Sequence, residues 1–277
     1  MLQLTADNYY SPEANDAYFS ASQIKALMDC ESRALAEMRG KYEREPSTAL
    51  LVGSYVDARL CGGDMESFAL GHTEIYTKTG TLRAEFRKAE EIAQRIERDP
   101  LAMRMLDGDH QQILTGTIFG QPFKAKLDCW LDGGAARRIW MDYPDMEELM
   151  YAHGAIVDLK VMRNFDTMYR EGAGRLNFIE YWRYDLQMAI YQELKRQKMG
   201  VKVPCYILAA TKEENPNIEL FQIPQSLMDA DMEILKTRME HFAELKAGED
   251  EPLGCGVCDW CRQTKVLKGA TWLEAWA

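Results

Sequence analysis

The chain has 277 residues, 47% of them hydrophobic and 28% charged, with a formal net charge of −11. The length is enough for a buried core, and the apolar fraction is ordinary for a soluble globular protein. No apolar run is long enough to span a bilayer, and the acidic balance argues against a general polyanion binder. It leaves room for a site that gathers carboxylates around magnesium, because the metal offsets their charge locally. The first residues, MLQLTADNYYSPEAND, lack a basic region followed by an apolar stretch, so no signal peptide and a cytoplasmic location are expected.

Residues 1–19 read as polar and irregular. Ser20 opens a capping box with Gln23 at the third helical position, and a helix is expected from there to about Glu43, with Ile24, Leu27 and Met28 on its apolar face. Thr48 to about Cys61 predicts a second helix. Residues 81–98 predict a charged amphipathic one, with opposite charges three and four apart. The period then changes. Gln111–Phe119 and Pro122–Leu131 predict paired strands joined at Gly120-Gln121. Arg138–Asp142 reads as a further strand and Asp145–His153 as a short helix. Ala155–Val161 predicts a short apolar strand, Tyr181–Gln197 a helix, and Val203–Ala210 and Ile218–Ile223 two more strands. A long helix should follow Pro224 and end near Gly248. The expected fold class is α/β, with a central mixed sheet flanked by helices.

Three short patterns carry candidate chemistry. K-A-K-L-D-C-W, at 124–130, places Asp128 in a strand. I-V-D-L-K, at 156–160, places Asp158 and Lys160 two apart, on one face of a strand. Q-M-A-I-Y, at 187–191, places Gln187 and Tyr191 four apart, on one face of a helix. Each pattern alone is common on ordinary surfaces; their joint order is more specific.

Together, Asp128, Asp158-Leu159-Lys160 and Gln187-x-x-x-Tyr191 resemble the signature of RecB-like and RecE-like exonucleases of the PD-(D/E)xK superfamily. The run from Tyr181 to Tyr191 is most similar to phage-type exonucleases related to RecE. The resemblance covers roughly Ser20 to Lys268, weakly through Gly62–Asp109, and implies one restriction-endonuclease-like nuclease domain over 1–277. It implies that Asp128, Asp158 and the Leu159 carbonyl hold Mg2+ or Mn2+. Lys160 would position and help deprotonate water and stabilise charge, and Gln187 and Tyr191 would orient the DNA. It also implies exonucleolytic processing of duplex ends, 5′ to 3′, for recombination. An annealing-protein partner and a homo-oligomer go with that role.

Two departures stand out. V-G-S-Y-V-D-A-R-L, at 52–60, resembles the family's G-x-x-x-H segment, but Asp57 stands where histidine is expected; it is either a hard-metal ligand or a surface residue. Residues 133–154 form an insertion, either a loop over the site or an oligomer contact. His153 reads as a loop histidine. DNA contact is assigned to local basic stretches, Arg163, Arg170 and Arg175 first and the tail from Arg262 to Lys268 second; the alternative is a solvated surface.

Seven cysteines, an odd number, make a disulfide framework unlikely. Cys255, Cys258 and Cys261 have the spacing of a metal-ligand run, and Cys30 is the best candidate for a fourth ligand. Some RecB-like and CRISPR adaptation nucleases carry a [4Fe–4S] cluster on such a set, and the resemblance favours iron–sulfur here, with zinc as the alternative. The set would join the N-terminal helix (about 20–43) to the tail (about 251–268). Cys61, Cys129 and Cys205 read as buried core. Competing functions are a non-catalytic DNA-binding or assembly module that keeps the fold, and a zinc-stabilised interaction protein.

Overall fold

The structure is a computed structural model, and it describes residues 2–44, 47–267 and 269–270. Among these residues seven strands form: β1 (Asp109–Ile118), β2 (Gln121–Asp132), β3 (Gly154–Met162), β4 (Met168–Arg170), β5 (Gly174–Leu176), β6 (Cys205–Thr211) and β7 (Ile218–Gln222). Five of them make one sheet in the order β1-β2-β3-β6-β7, while β4 and β5 make a separate hairpin. β3 and β6 are parallel; the other pairs of the main sheet are antiparallel. The sheet is therefore mixed, as expected.

Both faces of the sheet are covered, and strand alternation sorts the side chains between two cores. On β3, Ile156 and Met162 join one core, and Ala155, Val157 and Leu159 join the other. On β6, Cys205, Ile207 and Ala209 face the first, and Tyr206, Leu208 and Ala210 the second. Burial on two faces explains why β6 reads as a continuous apolar run. The first core is roofed by the helices Ala21–Asp29, Tyr184–Met199 and Gln225–Ala247, the second by Thr48–Leu60, Ala84–Glu97 and Gly133–Asp142. No helix among the described residues is long and apolar enough to cross a membrane.

Several expectations are corrected. Residues 1–19, expected to be irregular, contain a helix, Pro12–Ala17, capped by Ser11 through Ala14 N–H. The helix expected over 20–43 is two helices, Ala21–Asp29 and Glu31–Met38, broken at Cys30, whose φ of −164° and ψ of 106° are extended. Ser20 caps the first through Gln23 N–H, but the Gln23 side chain reaches the Asn15 carbonyl, so the capping box is half made. The strand expected at Arg138–Asp142 is the second half of a helix, Gly133–Asp142. Asp132 caps that helix by accepting from Ala135 N–H at 2.7 Å, and Ala135, Ala136 and Ile139 bury one face. A short apolar run cannot reveal its period, and the cap decides it. Asp145–His153 contains only one 3₁₀ turn, Glu147–Leu149. The helix expected from Tyr181 begins at Tyr184, after Arg183 turns the chain with φ 52°. Lys268 lies outside the described residues.

Gly154 starts β3 where the backbone passes beneath Trp130. A Cβ there would collide with the Trp130 ring and the Leu131 carbonyl. Gly154→Ala should cost about 1–3 kcal/mol of stability, seen as a lower urea midpoint with an unchanged slope. An unchanged midpoint would show that the β2–β3 contact is loose.

Candidate active site

β2 pairs with β3 only over Cys129–Asp132 against Gly154–Val157. Beyond these residues the two strands part, and Asp128 and Asp158 stand at the fork. With no β2 backbone opposite it, the Leu159 N–H donates to Asp128 Oδ2 at 2.9 Å. A buried N–H must find an acceptor, so the fork itself fixes the Asp128 carboxylate. The β1–β2 ladder is also interrupted here: the Gln111/Asp128 position is skipped, and Gln111 adopts φ 53°. That conformation is costly for a non-glycine residue. It turns the Gln111 side chain to donate to both Asp57 carboxylate oxygens, at 3.4 and 3.3 Å.

Asp158 and Lys160 share one face of β3, as the spacing requires. The Lys160 ammonium contacts Asp158 Oδ2 as an ion pair and donates to the Leu159 carbonyl at 3.4 Å. Asp158 is buried, at 1% exposure. Its Oδ1 accepts from Gln187 Nε2 at 2.9 Å, while among the described residues its Oδ2 is met by the Lys160 ammonium alone. Burial, and then the Asp158 charge, push the Asp128 carboxyl well above the usual range. Burial alone would lower Lys160, but Asp158 and Asp128 outweigh it and hold the ammonium above the usual lysine range. Burial raises Asp57 as well.

The helix Tyr184–Met199 presents Tyr184, Gln187 and Tyr191 along one stripe, three and four residues apart. The resemblance had Gln187 face the DNA; here it grips Asp158 and also donates to Tyr191 Oη at 3.3 Å. Its Oε1 accepts from Lys25 Nζ at 2.9 Å. Lys25 thereby sets which end of the amide points at Asp158. Lys25 and Lys160 both lie over the Tyr184 ring, at 4.7 and 5.2 Å from its centre. Burial, then the Lys160 charge, lower Lys25 to about 8.

These groups open onto a cavity of about 310 Å³. Asp57, Asp128, Asp158, Lys160, Gln187 and Tyr191 all line it, so every predicted residue of the constellation converges, together with the Leu159 backbone. Lys124, Lys126 and Asp128 alternate along β2 and line it too, with Tyr9 and Tyr10 opposite: Lys126 Nζ lies 4.9 Å from the Tyr10 ring centre. The donor set suits a hard divalent cation: the buried Asp158 carboxylate, the half-buried Asp128 carboxylate, and the Leu159 carbonyl that directly follows Asp158. The ligand oxygens of Asp57, Asp128 and Asp158 do not all lie within 4.8 Å of one another, and the Lys160 ammonium supplies the counter-charge at Asp158.

Lys25, Tyr184, Gln111 and Lys126 were not singled out from sequence. Lys25 left a readable trace: it is four residues after buried Ala21 and three before Met28, a cation on the apolar face of its helix. Gln111 left none, since its role depends on a backbone kink.

The arginine track does not line the cavity. Arg163 and Arg175 are exposed, and Arg170 turns inward, its guanidinium stacked 5.1 Å from the Tyr181 ring centre and bonded to the Tyr181 carbonyl. No residue of 133–154 lines the cavity, so the insertion is a packed helix and turn and not a loop over the site. His153 sits in the loop before β3.

The four cysteines meet apart from this cavity. Sγ of Cys30, Cys255, Cys258 and Cys261 all lie within 4.8 Å of one another. Cys61, Cys129 and Cys205 are buried, as expected.

The chain matches the family model described as PDDEXK-like domain of unknown function (DUF3799), over residues 20–136 and 134–264. It is also similar to a protein from Eubacterium rectale whose crystal structure is named “Putative exonuclease”: 37% identity, 100% of this chain and 98% of that one covered, and a TM-score of 0.87. No curated protein matches it.

The Lys25–Gln187 contact should appear as energetic coupling. In a double-mutant cycle, Lys25→Met and Gln187→Ala should be non-additive by about 0.5–3 kcal/mol in urea unfolding. Additive losses would separate the two side chains.

Proposed function

The chain belongs to the PDDEXK-like family DUF3799, and from that premise we propose that it is a divalent-metal-dependent deoxyribonuclease whose centre is the β2–β3 fork. The observation that carries the reading is the clamp of Asp128 on the Leu159 N–H, with Asp158 and Lys160 beside it. Magnesium or manganese, held by Asp128, Asp158 and the Leu159 carbonyl, would supply Lewis acidity and a nucleophilic water at neutral pH. Asp57 would reach the same ion or its waters from the facing helix. Lys160, kept as an ammonium by its two aspartates, would donate to the scissile phosphate and stabilise the charge that develops there. Charge stabilisation is one of the two roles that the resemblance implied for Lys160. Gln187 would hold Asp158 in its ligand orientation, and Tyr191, Lys126 and Tyr10 would face the nucleic acid.

The finer reading is an exonuclease acting on linear duplex ends, 5′ to 3′, in recombination, with an annealing-protein partner and an oligomeric state to match. It rests on the resemblance around Tyr181–Tyr191, and the Eubacterium rectale relative's name supports the exonuclease part. The nuclease unit is proposed to span the whole chain, with the N-terminal helices tied to the C-terminal tail. Solvent-facing Arg163 and Arg175 would contact phosphates beyond the cavity, offsetting an acidic surface.

Linear duplex DNA incubated with magnesium should release nucleotides. Asp128→Ala, Asp158→Ala and Lys160→Ala should each lower the rate by on the order of 10²–10³-fold or more with unchanged circular dichroism. Full activity in Asp158→Ala would refute the assignment, and an inactive wild type would favour a binding module. Gln187→Ala should weaken metal affinity by about 10–100-fold, because it orients a ligand; Tyr191→Phe should not. Calorimetry distinguishes them. Arg175→Ala should flatten the log–log salt dependence of DNA binding by about one unit, and an unchanged slope would remove Arg175 from the track.

A further inference from the structure

The four-cysteine set has a geometry that bears on which metal it holds. Cys30 Sγ lies 3.5 Å from Cys261 Sγ and 3.8 Å from Cys258 Sγ, and Cys255 Sγ lies 4.0 Å from Cys261 Sγ. Four thiolates around one zinc, with Zn–S of about 2.3 Å, form a tetrahedron whose S···S edge is roughly 3.8 Å. The observed edges bracket that value. An iron–sulfur cube binds each thiolate to a different iron, so four irons and their sulfides stand between the thiolates and hold them well beyond sulfur contact. The residues present do not fit a [4Fe–4S] cluster. We infer that Cys30, Cys255, Cys258 and Cys261 hold a single tetrahedral zinc ion, against the iron–sulfur expectation raised by the resemblance.

The local backbone suits metal-bound thiolates. Amide N–H groups point at the sulfurs: Cys255 N to Cys30 Sγ at 3.4 Å, Cys258 N to Cys255 Sγ at 3.3 Å and Cys261 N to Cys258 Sγ at 3.5 Å. Such donors spread the excess negative charge of four thiolates on one divalent cation. Cys30 reaches the set because its helix breaks there, and the surrounding contacts fix the tail independently of the metal. Trp260 Nε1 donates to Ser32 Oγ at 3.0 Å, and Ser32 N–H donates to the Leu253 carbonyl at 3.1 Å. Buried Glu31 accepts from Leu253 N–H at 2.9 Å and from His241 at 3.0 Å. Cys255 is exposed, a setting that a redox-inert ion tolerates.

The site has a consequence for the cavity. Cys30 directly follows the helix that carries Lys25, and Lys25 orients Gln187. Zinc would therefore brace the wall of the cavity by cross-linking residues 231 apart in sequence, which restricts the unfolded chain strongly.

Protein expressed with iron and zinc both supplied, and purified without oxygen, should be colourless and contain about one zinc per chain, with no acid-labile sulfide. Protein grown with cobalt(II) should show the visible bands of tetrahedral thiolate-bound cobalt. Cys255→Ser, at an exposed position, should lose its zinc to a chelator that leaves the wild type loaded, and should melt lower. Iron in the wild type, with or without sulfide, overturns the inference. So does a wild type that is metal-free and takes up no zinc. The wild-type measurements do not depend on a variant folding, or on the nuclease reading.

Discussion

Where β2 and β3 part, one backbone N–H faces a gap, and the Asp128 carboxylate closes it. An unmatched buried N–H costs about 1–3 kcal/mol, so the sheet needs an acceptor at that point. Supplying it with a carboxyl group places Asp128 against Leu159, the residue between Asp158 and Lys160. The rest of the site answers that placement. Lys160 balances Asp158, Gln187 holds the other Asp158 oxygen, and Lys25 holds Gln187. Each partner comes from a different element, so the chain of contacts also joins β3 to two helices of the first core.

The acidic net charge and a polyanionic substrate are compatible because the cations are local. Lys124, Lys126 and Lys160 line a cavity whose own carboxylates would otherwise repel phosphate. Burial raises Asp57 and Asp128, which means that concentrated carboxylate charge is unfavourable there until a cation compensates it. A divalent ion suits such a site better than more lysines, because it neutralises two carboxylates and still polarises a phosphate.

Much of this was readable in the sequence because it depends on period and order. Asp158 and Lys160 share a strand face by spacing alone, and Gln187 and Tyr191 share a helix face in the same way. The long runs around β6 and the helix after Pro224 declared themselves through burial and length, and Gly248, with φ 80°, ends that helix. What stayed hidden depends on contacts distant in sequence. Lys25 meets Gln187 across 162 residues. The kink at Gln111 follows from an interrupted ladder, which no local pattern encodes. The helix Gly133–Asp142 was missed because its cap, Asp132, belongs to the end of β2. The break at Cys30 was missed because propensity alone would continue the helix; the tail that packs there, through Glu31 and Ser32, overrides it.

The fork and the cysteine set thus act on one helix: Lys25 holds Gln187, and Cys30 anchors the chain that follows. The central claim is that the fork is a metal site. Crystals soaked in manganese, measured at a wavelength where manganese scatters anomalously, test it directly. A peak is expected between Asp128, Asp158 and the Leu159 carbonyl, with Lys160 displaced from Asp158 Oδ2. No peak at the fork, or a peak that avoids both aspartates, would contradict it.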